Sequence, residues 1–139
     1  VSLPTAAVLH VRQFVAQCDL LLRATGFDLG PGPFVVPGTG VPVDREATSP
    51  SGRTIWFAYK GSLRGVRPGL RRTDAVKQAI AHGALLRDAE PRCPYVVLTS
   101  HVPGSGLGPA MLAVARRLGY VDHVICVFDP EGQARLRAL

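Results

Sequence analysis

Between residues 5 and 24 the apolar positions recur every three or four residues: Val8, Leu9, Val11, Phe14, Val15, Cys18, Leu21 and Leu22. That spacing predicts a helix, started by Pro4-Thr5 and stopped before Gly26. Residues 26–42 hold five glycines and four prolines, so only Phe34-Val35-Val36 reads as a short strand, cut by Pro37, Gly38 and Gly40. Residues 43–48 and 54–60 read as two strands joined by the turn Ser49-Pro50-Ser51-Gly52-Arg53. If Thr48 opposes Thr54, Asp44 falls opposite position 58. Residues 56, 58 and 60 then share one face with Asp44, while Ile55, Phe57 and Tyr59 turn to the other and pack under a helix.

A loop over 61–72 follows. A second helix is predicted from Thr73, taken as its N-cap, to about Arg87, with Asp74 in the first turn and Val76, Ala79, Ile80 and Gly83 facing inward. Residues 94–100 form a continuous apolar run, a buried strand. Pro109 suits the start of a third helix that ends near Gly119. Residues 121–128 give a last strand, and 129–139 a polar, weakly helical tail. The order αβββαβαβ predicts a single α/β domain over 1–139, a three-layer arrangement with a mixed central sheet flanked by helices.

Charge changes the picture. The 139 residues carry 16 Lys+Arg against 10 Asp+Glu, a net charge of +6. Between Asp44 and Lys77 stand eight basic residues (Arg45, Arg53, Lys60, Arg64, Arg67, Arg71, Arg72 and Lys77) and three acids (Asp44, Glu46 and Asp74), so this window supplies +5. A polyanionic partner is expected, DNA foremost. No apolar run reaches the ~18–20 residues of a membrane span and no leader pattern is visible, so no membrane partner is expected. Three dispersed cysteines, Cys18, Cys93 and Cys126, fit a reducing compartment and a cytoplasmic location. A chain beginning at Val1 reads as a domain excised from a longer protein.

Lys60 ends a strand that otherwise reads Ile-Trp-Phe-Ala-Tyr, and Asp44 lies across the strand pair. Arg64, Arg67, Arg71 and Arg72 follow directly. A carboxylate, a lysine and an anion-binding loop suit phosphodiester cleavage. The carboxylate holds Mg2+, the metal activates water, the lysine orients water or neutralises charge, and the arginines grip flanking phosphates.

Asp44, thirteen intervening residues, then Ala58-Tyr59-Lys60 at a strand end resembles the PD-(D/E)XK nuclease motif of restriction-endonuclease-like and Mrr-like domains. The order of elements matches that family's core as well. The resemblance implies a metal-dependent DNA endonuclease, of restriction or defence type, using Mg2+ or Mn2+. It makes Asp44, position 58 and Lys60 catalytic, with Asp44 and position 58 as metal ligands, and it makes a homodimer a candidate assembly. The departure is Ala58, where the family has Glu or Asp. An acid-to-alanine replacement that traps an uncleaved substrate complex is one explanation, favoured because Asp44 and Lys60 persist. A naturally inactive or rearranged member is another. In a third, Glu46, two residues from Asp44 on the same strand face, supplies the missing carboxylate.

Other residues divide between roles and plain structure. Lys77 either reaches a phosphate or belongs to a solvated helix face. Gln78 orients a water or is solvated. Gln17, with Gln13 one turn earlier, is a weak candidate beside a metal on the first helix; an exposed polar stripe is the default. Trp56 shares the face of position 58 and packs beside the site or against a base, with core packing the commoner role of a tryptophan. Ser100-His101 lacks an evident orienting group for nucleophilic catalysis, and His10, His82 and His123 have no metal-ligand spacing. The loop Gly104-Ser105-Gly106-Leu107-Gly108-Pro109 has Pro109 where GxGxxG needs its third glycine. The competing functions are a non-catalytic nucleic-acid-binding or assembly module on the same fold and, further off, a Rossmann-like nucleotide-binding domain.

Overall fold

The computed structural model describes residues 6–62 and 69–139, with side chains from residue 10 onward. Four α-helices and seven strands lie in the described residues: α1 (Ala6–Ala24), β1 (Asp28–Leu29), β2 (Phe34–Val35), β3 (Pro42–Val43), β4 (Arg45–Thr48), β5 (Thr54–Lys60), α2 (Thr73–Ala89), β6 (Tyr95–Thr99), α3 (Gly108–Leu118), β7 (His123–Cys126) and α4 (Pro130–Arg137). Five strands make a mixed sheet in the order β1-β4-β5-β6-β7. β1, β4 and β5 are antiparallel, and β5, β6 and β7 run parallel.

Both faces of this sheet are covered. β5 sends Ile55, Phe57 and Tyr59 to a core shared with Phe14, Cys18 and Leu22 of α1 and Leu136 of α4. The i, i+4, i+8 spacing on α1 is what lets one helix stripe meet one sheet face. Trp56 and Ala58 point the opposite way, into a core with Val76, Ala79 and Leu86 of α2 and Leu112 and Ala115 of α3. β6 is buried at all five positions, as a central parallel strand between helical layers requires. The expected mixed α/β sheet flanked by helices is therefore the observed one.

Three local expectations are corrected. The first strand of the meander is β1 at 28–29, not 34–36. β1 pairs with β4 through Asp28↔Thr48 and Leu29↔Ala47, and the pairing continues as Gly30 N donates to Glu46 O at 2.8 Å. Pro31, Gly32 and Pro33 then end it, and β2 pairs instead with β3 in a separate ribbon (Phe34↔Val43, Val35↔Pro42). The ribbon's turn needs left-handed backbone at Gly38 and Gly40, with φ of 79° and 70°. Thr73 is the first residue of α2 and not its cap. Arg72 occupies the cap position without a side-chain cap bond, because a guanidinium has no acceptor for a backbone N–H; it pairs with Asp74 instead.

The tail is a helix, α4. Asp129 caps it by accepting from Glu131 N at 3.1 Å, Pro130 begins it, and Leu136 is fully buried against the sheet. α4 also guards an edge: Arg135 Nη2 donates to Val124 O of β7 at 3.1 Å, occupying a carbonyl of the edge strand. No helix in the described residues is long and apolar enough to cross a membrane. All three cysteines are free.

Candidate active site

The hairpin register is the one the turn length implies: Thr48↔Thr54, Ala47↔Ile55, Glu46↔Trp56 and Arg45↔Phe57. The next rung is made differently. The chain bends at Asp44, whose backbone N–H still reaches Phe57 O at 3.1 Å. Its carboxylate then accepts from Tyr59 N at 2.7 Å. A side-chain oxygen thus stands where a strand carbonyl would have continued the ladder, and this fixes Asp44 beside residues 57–59.

Lys60, at the end of β5, donates from Nζ to Gln78 Oε1 on α2 at 2.6 Å. His82 follows Gln78 by one helical turn, so the two share a face of α2. Electrostatics tie the group together. Burial raises the Asp44 carboxyl above its ordinary value, opposed by the Tyr59 N–H and by Lys60 and His82. Burial lowers the Lys60 ammonium, opposed by Asp44. Burial also lowers His82, helped by Lys60 and opposed by Asp44. A partly desolvated carboxylate and lysine that lack a mutual ion pair, with an imidazole in their field, form a polar site inside an otherwise apolar layer.

Ala58 lies between them in sequence and is 2% exposed, in the apolar core with Val41, Val43, Val76, Ala79 and Val97. As written, the site holds one carboxylate, Asp44. Among the described residues no three His, Cys, Asp or Glu side chains gather to hold a metal ion. Mg2+ sites commonly use one or two carboxylates together with substrate phosphates and water. This donor set falls short of the two-acid site that the motif describes.

Glu46 does not turn toward Asp44. Its Oε1 accepts from Trp56 Nε1 at 3.0 Å. It lines a separate cleft of about 400 Å³ with Arg53, Thr54, Trp56, Glu90, Arg92 and Cys93. Trp56 and Lys60 are four residues apart, about 13 Å along the strand, so this cleft sits at the opposite end of β5. Gln17 is exposed on α1, as the plain reading had it.

The basic loop is anchored at both described ends by the exit of β6. Ser62 N donates to Ser100 Oγ at 3.2 Å, Leu70 N donates to His101 O at 3.0 Å, and Thr99 Oγ1 donates to Lys60 O at 2.8 Å. Ser100 Oγ also shares a hydrogen bond with His101 Nδ1 at 2.8 Å. Ser100 is 3% exposed and acts here as a clamp. Arg64 and Arg67 lie outside the described residues. Arg71, Arg72 and Lys77 are exposed, and Arg72 pairs with Asp74 at 3.2 Å.

Three participants were missed or undervalued in the sequence. Gln78 and His82 could have been found from their i, i+4 spacing on a predicted helix. Asp19 could not: its partners, Arg45 and Tyr59, are 26 and 40 residues away.

These features define a mixed α/β protein whose five-stranded sheet, flanked by helices, carries a carboxylate–lysine pair where the antiparallel hairpin meets the parallel strands. The chain is similar in fold to an XisH family protein from Nostoc punctiforme PCC 73102, known from a crystal structure at 1.60 Å resolution. Identity is 17% over 82% of this chain and 91% of the other, with a TM-score of 0.58. No family model matches the sequence, and no curated protein does.

Proposed function

We propose that this chain is a DNA endonuclease domain of the PD-(D/E)XK type, of restriction or defence kind, inactive as written because Ala58 replaces its second acid. The observation that carries the reading is that Asp44, just outside the hairpin ladder, holds its carboxylate on the Tyr59 N–H and lies in the electrostatic field of Lys60, the next residue of β5. The likeness in fold to an XisH family protein is compatible with a restriction-endonuclease-like core. The arginines around residues 64–72 supply backbone contacts to nucleic acid.

With alanine at position 58 the donor set is one acid short of the motif's metal site. The chain's own residues have definite tasks. Asp44 presents a fixed carboxylate that can face a phosphate only across a bound cation, while Lys60 presents an ammonium held by Gln78 whose partial shielding from water strengthens its attraction for a phosphate. The test is Ala58→Glu, assayed on duplex DNA with Mg2+ or Mn2+. Cleavage is expected from the variant and none from the protein as written, with activity lost on chelation or in the Ala58→Glu, Lys60→Ala double variant. A folded Ala58→Glu protein that cuts nothing overturns the reading.

One observation favours a second function. Ala58 is packed among valines and alanines, and a glutamate there would have to displace them. That surrounding suits a non-catalytic nucleic-acid-binding or assembly module. Such a module binds DNA with a steep salt dependence and stays inert after Ala58→Glu.

A further inference from the structure

Asp19 sits on α1, outside the motif, and is the hub of a network. Its carboxylate accepts from Arg45 Nε at 3.2 Å and from Arg45 Nη2 at 2.8 Å, a two-pronged pair with the side chains only 19% and 15% exposed. Tyr59 OH donates to Asp19 Oδ1 at 2.7 Å. The remaining arm of Arg45, Nη1, donates to Gly30 O at 3.0 Å just beyond β1. One carboxylate thereby ties α1 to β4 and β5, and through Arg45 to the end of β1.

The two residues that Asp19 holds are the two that set Asp44. Arg45 is its chain neighbour, at the first rung of the β4–β5 ladder. Tyr59 donates its backbone N–H to the Asp44 carboxylate. Asp44 itself lies just outside that first rung, beyond the end of the paired strand. Bidentate Arg–carboxylate pairs fix geometry as well as add energy, and a shielded pair resists competition from water far better than a surface one. Gly32 closes the arrangement from outside, since a Cβ there would collide with Asp44 O and with Arg45 Cα at 2.9 Å.

We infer that Asp19 is a positioning residue for Asp44, acting through Arg45 and Tyr59, so that the first helix governs the geometry of the candidate catalytic carboxylate. The inference rests on the reading of Asp44 as the site's carboxylate. The role assigned to Asp19 is positioning, since Arg45 and Tyr59 take up its carboxylate.

The experiment is amide hydrogen exchange by NMR on the full chain, comparing the protein as written with Asp19→Asn, Asp19→Glu and Asp44→Ala. Asp44→Ala identifies the Tyr59 amide that its carboxylate protects. Asp19→Asn is expected to speed exchange at Tyr59 at least tenfold while amides of Ile55–Phe57 and Val96–Leu98 keep their protection. Asp19→Glu is expected to restore part of the protection. Undiminished protection at Tyr59 in folded Asp19→Asn overturns the inference. So does a loss spread evenly over β5 and β6, which would mark a merely structural role. A second arm separates this from the parent reading. In the Ala58→Glu background Asp19→Asn is expected to lower kcat at least tenfold with KM within twofold. An Ala58→Glu protein that is inert, beside a selective Tyr59 effect, sinks the nuclease reading and keeps the positioning role. Equal cleavage with and without Asp19 sinks the positioning role and keeps the nuclease.

Discussion

At Asp44 stability and the proposed function meet in one side chain. Its folded-state pKa is raised by burial, so folding favours the protonated form. The sign follows from linkage: across the interval between the unfolded and folded values the native state binds more protons. The stability present below the ordinary carboxyl value is therefore lost as pH rises through the raised one. Asp44→Asn keeps an oxygen for the Tyr59 N–H and removes the charge. It is expected to raise Tm at pH 7 and to confer no advantage near pH 3. Thermal melts of both proteins across that range check the prediction; a variant that melts lower at pH 7 contradicts it. Many catalytic groups carry this cost, because the environment that makes a charge useful also makes it expensive to bury.

Elements settle the question of whether the tail belongs to the fold. Residues 129–139 look solvated in the sequence, yet α4 buries Leu136 completely in the α1-side core. Leu136→Ala is expected to cost about 2–5 kcal/mol, readable as a lower denaturation midpoint at unchanged m-value. A change under half a kilocalorie would mean that α4 is peripheral. The segment from β1 to β2 carries a matching dependence. At Gly32 any side chain meets the main chain of Asp44 and Arg45. Gly32→Ala should destabilise by about 1–3 kcal/mol through displaced backbone. It should also abolish the DNA cleavage expected of Ala58→Glu. Calorimetry and a plasmid-nicking assay read the two effects separately.

At the scale of the molecule, the basic belt of residues 44–77 divides. Arg45 is inside the network with Asp19, Lys60 is turned to Gln78, and Arg71, Arg72 and Lys77 remain at the surface. The Arg72–Asp74 pair is exposed and screened by solvent, so a phosphate can displace it. Arg71→Ala with Arg72→Ala should lower the slope of log K against log[salt] for DNA by about 2, near 0.9 per lost phosphate contact. Titrations of labelled duplex at several salt concentrations measure it, and an unchanged slope removes these two arginines from the interface.

The sequence by itself determined α1, α2 and α3, the two long hairpin strands, their register and the faces of β5. Those features follow from local spacing: 3.6 residues per helical turn, two per strand, and a turn of set length. Asp44 and Lys60 were legible for the same reason. Only the tertiary structure decided the rest. It set β1 rather than Phe34–Val36 in the sheet, because pairing partners compete and neither pattern is long enough to settle the contest locally. It gave Glu46 to Trp56, gave Lys60 to Gln78, and assembled Asp19, Arg45 and Tyr59 across up to forty residues. A polar side chain's partner is chosen by which elements pack beside it. That choice is made in three dimensions, where apolar periodicity has nothing to say.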